Sequence, residues 1–220
     1  VTFGAEMEVF PAERGLYVDV DQNVYATGYY DDFTGGAGSL LAKIERSGSI
    51  QWTHIAPGLG GLYSTKRSLQ GRDEGCYLLS ISQSDYEVSA IDFSGSKEWT
   101  FNYGSVPDAW DDLVSSSMDA EGRLILTGTS STVWGRTITR TMMLNQHGQK
   151  SWELAYPEDS TRYTSANDIC TSVDGTFYLT GEISGPPNQM YLARFRQIEE
   201  VKFDILPGSC PNIINTGGID

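Results

Sequence analysis

The hexapeptide Ser47-Gly48-Ser49-Ile50-Gln51-Trp52 decides the fold, because the chain repeats its pattern twice, as Ser94-Gly95-Ser96-Lys97-Glu98-Trp99 and His147-Gly148-Gln149-Lys150-Ser151-Trp152. The three tryptophans are 47 residues (52 to 99) and 53 residues (99 to 152) apart. Repeats of about 50 residues that consist of strands and turns are typical of four-stranded units arranged in tandem. The sequence therefore predicts an all-β chain of repeated sheets.

A second marker follows each tryptophan after 22 residues (52 to 74, 99 to 121, 152 to 174). It is an acid followed by glycine, and Asp21 marks the first repeat; the other three pairs are Glu74-Gly75, Glu121-Gly122 and Asp174-Gly175. Glycine supplies the positive φ that a tight hairpin needs, so each pair predicts a turn between two strands. The next tryptophan follows the acid after 31 (21 to 52), 25 (74 to 99) or 31 (121 to 152) residues. We therefore expect all the length variation in the second half of the repeat, where a binding surface is most easily varied.

Each repeat contains four predicted strands. Strand A is a short apolar run such as 15–18, and strand B runs from the hairpin through Thr-Gly. A variable loop (30–38 or 130–137) precedes strand C, which alternates with period two as in 40–44, and strand D ends on the tryptophan. The fourth repeat has Phe203 in the tryptophan position. We predict a β-propeller of about four blades of roughly 50 residues over residues 1–205, followed by a linker or tail at 206–220.

The pattern resembles the secreted bacterial propeller repeats that read roughly DGG-YIVAG and then VVKLD-x-x-G-x-x-x-W. The matching stretches are 174–181 and 40–52, and the resemblance covers residues 1–205. SBBP-type and quinoprotein-like propellers have similar patterns. The resemblance implies a propeller fold and a secreted or cell-surface location, while such repeats occur in extracellular proteins of many unknown roles. The segment 204–212 is similar to a junction that often precedes another module in secreted bacterial proteins.

The first residues bear on whether a ring of blades closes. Residues 1–4 align with 101–104, so the chain begins within a strand D, although the last repeat has its own strand D at 201–206. Either the chain is a piece of a longer array, or the first strand closes the ring against the last blade. Pairing of two chains as a homo-oligomer is a further alternative, because four blades are the lower limit for propellers.

Composition excludes several partner classes. The chain has 220 residues and a formal net charge of −14. Clustered Lys and Arg are needed to bind phosphates, so we expect neither nucleic acid nor an anionic membrane as partner. No apolar stretch reaches the roughly 20 residues of a membrane-spanning helix. The acidity serves solubility, cation binding or contact with a basic partner.

The three cysteines do not form a disulfide framework. Cys76 aligns with Asn23, Arg123 and Thr176 at the edge of a hairpin. Cys170 falls in strand A of the last repeat, and Cys210 falls in the tail. A Cys170–Cys210 bridge in an oxidising compartment and three free thiols are the two alternatives.

No catalytic constellation is apparent in the sequence. There are two histidines: His147 takes the turn position of Ser47 and Ser94, and His54 aligns with Phe101. We therefore predict an exposed turn residue and a packed strand D residue, which leaves no base for a triad. Motifs for a nucleophile elbow, a phosphate-binding loop or a dinucleotide site are also absent. We predict no catalytic residue.

Two groups of carboxylates were candidate sites. Asp19, Asp21 and Asn23 have the D-x-D-x-N spacing of a calcium loop, although no glycine and no closing glutamate follow. The other group is Asp108, Asp111 and Asp112 around Trp110, which has the acid pair and aromatic ring that glycoside cleavage uses. Both groups are also typical of ordinary solvated turns, so we assign no metal and no cofactor, with calcium as the alternative.

The tryptophans divide into two groups. Trp52, Trp99 and Trp152 share one repeat position, which predicts that they pack one sheet on the next rather than stack on a ligand. Trp110 and Trp134 lie in variable loops and are the better candidates for ligand contact.

Three functions fit these observations. The first is a non-catalytic extracellular propeller module that binds a protein or glycan, or acts as a spacer. The second is a carbohydrate-active or quinoprotein-like propeller enzyme, and the third is a calcium-stabilised structural repeat. We favour the first, because the scaffold is regular, the loops vary and no catalytic group is apparent.

Overall fold

A computed structural model describes residues 8–31, 37–58, 67–70, 75–82, 85–104, 111–131, 137–156, 163–185, 187–197 and 201–204. The regular elements of these residues are all strands: β1 (Glu8–Val18), β2 (Val24–Asp31), β3 (Ala37–Ile44), β4 (Ile50–Gly58), β5 (Arg67–Gln70), β6 (Cys76–Ser82), β7 (Asp85–Ile91), β8 (Lys97–Tyr103), β9 (Asp111–Met118), β10 (Leu124–Ser131), β11 (Thr137–Leu144), β12 (Lys150–Tyr156), β13 (Tyr163–Thr171), β14 (Thr176–Ser184), β15 (Gln189–Gln197) and β16 (Val201–Asp204).

The strands form four antiparallel sheets of four strands each, in the order β1-β2-β3-β4, β5-β6-β7-β8, β9-β10-β11-β12 and β13-β14-β15-β16. Every strand pairs with the strands that precede and follow it in the chain, so each sheet is a meander that corresponds to one sequence repeat. The prediction of an all-β chain of four-stranded repeats is confirmed. We call the sheets first to fourth in chain order.

The chain divides into two compact units, Val1–Ser105 with the first and second sheets and Val106–Asp220 with the third and fourth. In the first unit, Tyr25 and Leu41 of the first sheet pack against Cys76, Leu78 and Ile91 of the second. In the second unit, residues of the third sheet pack against the fourth; the buried set is Ile125, Met143, Ala166, Ile169, Phe177, Leu179, Tyr191, Ala193 and Phe195. Each unit therefore has an apolar core between two sheets.

Six hairpin turns share one backbone geometry. Each turn has five residues. The N–H of the first residue donates to the carbonyl of the fifth, and the N–H of the fourth donates to the carbonyl of the first. The first residues of the six turns are Asp19, Glu45, Asp92, Asp119, Asn145 and Ser172. The fourth residue has positive φ, and it is Gly in five turns but Gln22, with φ of 66°, in the β1–β2 turn. Asp or Asn in the first position accepts backbone N–H groups of the third or fifth residue, which is an Asx turn.

In two of the A–B turns the anchoring side chain, Asp19 or Asp119, therefore lies two positions before the acid predicted from the repeat, Asp21 or Glu121. Asp119 accepts from the N–H groups of Glu121 and Arg123, at 2.9 Å each, and its other oxygen accepts from Arg123 Nε. Glu121 is exposed, and besides its backbone N–H it contributes a carboxylate that pairs with Arg123 at 3.0 Å. Asp174 does accept a hydrogen bond, from the N–H of Thr176. Gly122 and Gly175 have the positive φ that was predicted.

The second sheet is one residue out of the predicted register. Cys76 pairs with Ile91, as Val24 pairs with Ile44 and Leu124 with Leu144. Cys76 therefore corresponds to Val24 rather than Asn23, and it is a buried residue at the start of β6. Gly75 accordingly lies outside the left-handed region, and a Cβ there would come within 2.7 Å of the Ile91 carbonyl oxygen. Close backbone approach, not turn conformation, requires this glycine.

Strand D differs from its prediction. Trp52, Trp99 and Trp152 are the third residues of β4, β8 and β12, so strand D begins beside the tryptophan rather than ending on it. Phe203 is likewise the third residue of β16, which confirms that an aromatic residue keeps the position. Strand A is longer than predicted in the first sheet, where β1 begins at Glu8 and has an irregular register between Pro11 and Leu16. The predicted N-terminal strand at 1–4 and the tail lie outside the described residues.

Candidate functional site

The two ends of each sheet differ. In a meander, the A–B and C–D turns lie at one end, which we call the turn end, and the B–C loops and D–A connections lie at the other, the loop end. The turn end has the common hairpin geometry described above. The loop end has B–C loops at 32–36, 83–84, 132–136 and 185–188, and D–A connections at 59–66, 104–110 and 157–162. The loop end therefore varies in length from sheet to sheet, whereas the six described turns of the turn end share one geometry.

This corrects one sequence expectation. The B–C loop at 83–84 is short, as the acid-to-tryptophan spacing predicts, but the D–A connections also differ in length. The lengths of the flanking strands compensate for these differences. The connection 59–66 lies between β4 with 9 residues and β5 with 4, whereas 104–110 lies between β8 with 7 residues and β9 with 8. The constant spacing of 22 residues hides this second variable segment.

A buried polar network lies beneath the loop end of the second unit. The Thr139 N–H donates to Thr164 Oγ1 at 2.9 Å, and the Thr139 hydroxyl is 2.8 Å from the Tyr191 hydroxyl. Thr164 Oγ1 in turn donates to the Tyr156 carbonyl oxygen at 2.8 Å. Burial raises the pKa of Tyr191 and of Tyr156 above the ordinary value of 10.0, so both phenols stay protonated at neutral pH. The network fixes β11, β13 and β15 to one another where the loops begin.

Exposed groups also lie at the loop end of the second unit, where these strands begin. Tyr163, the first residue of β13, is 45% exposed, and Met190, near the start of β15, is 65% exposed. Asp112 is exposed, whereas Asp111 is only 1% exposed. The predicted acidic cluster is therefore divided between a buried and a solvent-facing carboxylate. Asp108, Trp110 and Trp134 lie outside the described residues.

A second polar group, which we call the seam, joins β9 to β13 within the second unit. Ser115 Oγ donates to Asp168 Oδ1 at 2.5 Å, and the Ile169 N–H donates to Ser115 Oγ. The Ser117 and Thr171 hydroxyls are 2.7 Å apart, and the Thr171 hydroxyl donates to the Met118 carbonyl. The sequence analysis missed Asp168 because no repeat motif includes it. Its signal is the Ser115-Ser116-Ser117 run, which places hydroxyls on an edge strand.

The structure places the two histidines as predicted. His147 is exposed in the β11–β12 turn, where its N–H donates to Asn145 Oδ1 at 3.0 Å. His54 is half-buried in β4, and burial lowers its pKa, an effect opposed by a hydrogen bond with the Gly95 backbone. His54 thus touches the β7–β8 turn of the next sheet in its unit.

The calcium candidate residues form a hydrogen-bonded turn. Asp19 Oδ1 accepts from the Asn23 N–H and Oδ2 accepts from Asn23 Nδ2, each at 2.8 Å. Burial alone would raise the pKa of the Asp19 carboxyl, but the hydrogen bonds from Asn23 outweigh burial and lower it. Asp21 is exposed. Among the described residues, no group of three or more His, Cys, Asp or Glu side chains is placed to hold a metal ion.

Two of the repeat tryptophans pack one sheet on the next, as predicted. Trp52 Nε1 donates to the Phe93 carbonyl at 2.8 Å, in the β7–β8 turn of the second sheet. Trp152 stacks on Phe177 of the fourth sheet, with centroids 5.4 Å apart and an angle of 14°. The ring contact described for Trp99 is with Tyr77 of its own sheet, at 5.6 Å.

The cysteines include two free thiols. Cys76 is buried, which raises its pKa to about 12, and Cys170 is exposed. Cys210 lies outside the described residues, and with it the predicted Cys170–Cys210 bridge. Neither thiol belongs to the loop end, since Cys76 is the first residue of β6 and Cys170 is the next-to-last residue of β13, both beside the turns.

Comparison with known proteins shows the fold. No family model matches the chain, and no curated protein matches its sequence. A protein of unknown function from Dyadobacter fermentans is similar in structure, with a TM-score of 0.54 and 12% identity over 86% of this chain and 68% of that one. A PL25 ulvan lyase bound to -[GlcA(1-4)Rha3S]- has a TM-score of 0.54 and 8% identity over 81% of this chain and 51% of its own.

A subtype N10 neuraminidase-like protein from a little yellow-shouldered bat isolate is also similar, with a TM-score of 0.53 and 13% identity over 89% of this chain and 58% of its own. The chain therefore has an all-β, propeller-like fold and spans about half to two-thirds of these neighbours. In the described part of the chain, no helix is long and apolar enough to cross a membrane.

Proposed function

We propose that this chain is a non-catalytic, extracellular β-propeller module whose loop end binds a protein or a glycan. The observation that carries the proposal is the difference between the two sheet ends. The six described turns of the turn end share one geometry, whereas the connections at the loop end differ in length, and in the second unit a polar network fixes the strands from which they extend. Binding surfaces are commonly built in this way, with variable loops positioned by a rigid scaffold. We also propose that the repeats are of the secreted bacterial type.

The use of polar side chains in the scaffold supports a binding role. Asp19, Asp92 and Asp119 accept backbone hydrogen bonds in turns, and Asp168 accepts one in the seam. These carboxylates stabilise the sheets. What remains solvent-facing at the loop end of the second unit includes Tyr163 and Asp112. The exposed aromatic face of Tyr163 suits stacking on a sugar ring or a protein side chain.

The charge of the chain limits the partner. With a net charge of −14, long-range repulsion disfavours nucleic acid, an anionic membrane or a polyanionic glycan. We therefore propose a neutral glycan or a neutral to basic protein surface as the partner.

An enzyme is the second candidate, because the ulvan lyase similarity favours carbohydrate chemistry. That protein is bound to -[GlcA(1-4)Rha3S]-, a sulfated and uronic polymer. At 8% identity the similarity indicates fold, and the acidity of this chain opposes binding such a polymer. Measurements of binding and of cleavage distinguish the binding module from the enzyme.

Titration calorimetry with a neutral polysaccharide such as xylan or glucomannan, and with the GlcA–Rha3S polymer, tests both. We expect the neutral polymer to bind and neither polymer to be cleaved. Tyr163→Ala should weaken binding about tenfold, as loss of an aromatic contact does. Val173→Ala is the matched control, because Val173 is 94% exposed at the turn end.

Cleavage of either polymer would favour the enzyme. Equal losses of affinity in the Tyr163 and Val173 variants would show that the loop end is not the binding site. If neither polymer binds, the glycan version is rejected and a protein partner remains to be captured with the same pair of variants.

A further inference from the structure

His54 lies in the contact between the first and second sheets. It pairs across strands with Leu41, which is 0% exposed in the core that joins these two sheets. Directly paired residues share one face of a sheet, so His54 faces the second sheet. Its hydrogen bond with the Gly95 backbone, in the β7–β8 turn, agrees with this orientation. An imidazole is therefore one of the groups through which the first sheet packs on the second.

The part of the second sheet that faces His54 is polar. Ile91 belongs to the core with the first sheet, and side chains alternate along a strand, so Ser89 and Glu87 lie on the same face of β7. Ser89 is 1% exposed, and its hydroxyl is 3.0 Å from the Thr100 hydroxyl. It also donates to Glu87 Oε1 at 3.3 Å. The imidazole therefore meets hydroxyl groups and a carboxylate.

The surroundings of His54 decide its charge. Burial has the largest effect and lowers the pKa of His54 below its ordinary value of 6.5. Lys97 of β8 lowers this pKa further, while the backbone hydrogen bond and Glu87 of β7 act in the opposite direction. Lys43 lies on the same face of β3 as the partner of His54, and Asp92 begins the turn that accepts it. The imidazole is therefore neutral in the folded chain at neutral pH.

Leu154 is the residue of the second unit that corresponds to His54. Each lies two residues after the repeat tryptophan, which is the third residue of β4 and of β12. Their cross-strand partners, Leu41 and Thr141, each lie three residues before the end of strand C. Leu154 packs against the core between the third and fourth sheets. An apolar side chain therefore takes the position of the imidazole in the second unit.

The residues across this contact also differ between the units. The pairing register gives the equivalent positions on β7 and β15, which are Glu87 and Tyr191, Ser89 and Ala193, and Ile91 and Phe195. Tyr191 and Ala193 are 4% and 1% exposed and belong to the core of the second unit. The chain therefore builds the same contact twice, and these positions hold a group that titrates near neutral pH in the first unit alone.

We propose that the contact between the first and second sheets is an acid-sensitive switch, which is closed at neutral pH and loosens in mildly acidic surroundings when His54 takes up a proton. The contact between the third and fourth sheets does not respond. A charged imidazole beside a buried leucine loses hydration that its neighbours replace incompletely, so the open arrangement gains.

The sign of the effect follows from linkage. The folded-state pKa of His54 lies below 6.5, so its contribution to stability is fully present above 6.5 and is lost as pH falls through the folded value. Most carboxyl groups titrate below about pH 5, so the range between about pH 7.5 and 5.5 isolates histidine. The chain has two histidines, and His147 lies in an exposed turn of the second unit.

Amide hydrogen exchange of the full chain, measured by NMR at about pH 7.5 and 5.5, tests the proposal. Protection factors remove the intrinsic effect of pH on exchange, and they report local opening. We expect protection in β4 and β8 to fall at the lower pH, by up to about tenfold for each unit that separates 6.5 from the folded pKa. Protection in β11 and β12 should stay constant.

Two substitutions at His54 should abolish this loss. His54→Leu introduces the residue that the second unit has in the same position, and His54→Gln keeps a polar side chain that takes up no proton. The glutamine variant covers the case in which leucine disturbs the contact. His147→Leu is the matched control and should lose protection as the parental chain does.

Titration of the imidazole signals gives a second readout that does not depend on opening. Lys97→Gln should move the midpoint of His54 to higher pH, and Glu87→Gln should move it to lower pH, because the two charges act on the imidazole in opposite directions. The signal of His147 is the internal reference.

Three results overturn the proposal. The first is equal protection of β4 and β8 at both pH values in the parental chain. The second is a parental loss that persists in both His54 variants, which would mean that another group takes up the proton. The third is an equal loss in β11 and β12, which would mean that pH acts on both units alike.

Discussion

Gln22 is a residue in a conformation that suits glycine. Its φ is 66°, in the position that glycine occupies in the five equivalent turns. Left-handed backbone costs an L-residue about 1–2 kcal/mol, and the greater freedom of glycine in the unfolded chain offsets part of that. We expect Gln22→Gly to raise the free energy of unfolding by about 0.5–1 kcal/mol.

Urea unfolding measures this change. Gly48→Gln is the matched control, because Gly48 has φ of 88° and no atom within 4 Å of a Cβ, so strain alone changes. Gly48→Gln should lower the free energy of unfolding by a similar amount. A Gln22→Gly variant that is less stable than the parent would show that the Gln side chain makes a contact worth more than the strain.

Asp92 gives the second sheet an acid-sensitive turn. Hydrogen bonds from the Ser94 hydroxyl and the Ser96 N–H hold the pKa of Asp92 below its ordinary value of 3.8. A depressed folded-state pKa means that the stabilisation is present above that ordinary value and is lost as pH falls through the folded pKa. Asp92→Asn should keep the turn, because Asn145 accepts the same backbone bonds at the equivalent position.

We therefore expect Asp92→Asn to flatten the fall in melting temperature between about pH 4 and pH 2, with little change at pH 7. Asp21→Asn, in an exposed position of the β1–β2 turn, is the control. An unchanged acid slope in the Asp92 variant would mean that other carboxylates set the acid limit.

Calcium removal has an expected result at the β1–β2 turn. Both Asp19 carboxylate oxygens accept hydrogen bonds from Asn23, so the turn closes without an ion. We expect the same melting temperature in calcium and in excess chelator. If chelator lowers the melting temperature of the parental chain but not that of Asp19→Asn, the calcium-stabilised repeat is supported instead.

At the residue scale, the sequence predicted what glycine and turn chemistry dictate. Gly122 and Gly175 have the expected conformation, and His147 lies in its turn. Asp168 was not predictable, because its role arises from a hydroxyl that is 53 residues away and reaches it only through the fold.

The contact between Trp52 and Gly95 joins two sheets of the first unit. A Cβ on Gly95 would come within 2.8 Å of the Trp52 ring, whereas Gly48, with the same φ of 88°, has open space. Both alanine substitutions add backbone strain, but only Gly95→Ala adds overpacking, which typically costs about 1–3 kcal/mol. We expect Gly95→Ala to be more destabilising than Gly48→Ala by about that amount.

A double-mutant comparison isolates the ring contact. In a Trp52→Ala background the two alanine variants should be equally destabilised, since the obstructing ring is gone. If Gly95→Ala still costs more there, the β7–β8 turn resists the substitution for a reason of its own.

At the element scale, the repeat predicted the strands better than their register. Motif spacing aligned Gly75 with Gly122, but backbone pairing places Cys76 opposite Ile91 and shifts the second sheet by one residue. A shift of one residue exchanges the two faces of a strand, and a glycine that serves close approach looks the same in a sequence as one that serves a turn. Spacing alone cannot separate the two.

The buried thiol of Cys76 reports on opening of the first unit. It is 2% exposed, and burial raises its pKa to about 12, so thiolate is scarce in the folded chain. In a Cys170→Ser/Cys210→Ser background we expect an aromatic disulfide reagent to modify Cys76 at the rate of unfolding. The exposed Cys170, retained alone in a second variant, is the fast-reacting control. Equal native rates for the two thiols would contradict the burial of Cys76.

At the scale of the whole molecule, the period of about 50 residues was sufficient to predict four sheets. The candidate site was less predictable. Sequence spacing placed variability in the B–C loops, but the D–A connections were hidden by compensating strand lengths. The exposure of Leu16 could not be read from periodicity, because Leu16 and Ile169 are at equivalent strand positions yet are 73% and 4% exposed.

Pairing between consecutive strands has a consequence for the order of folding. Each sheet closes through short loops, and short loops cost little entropy to form. The seam, by contrast, joins residues 53 or 54 apart. Formation of β9–β12 need not wait for β13–β16, and docking across the seam comes last in that unit. During synthesis, the third sheet can therefore be complete while the fourth is still inside the ribosome.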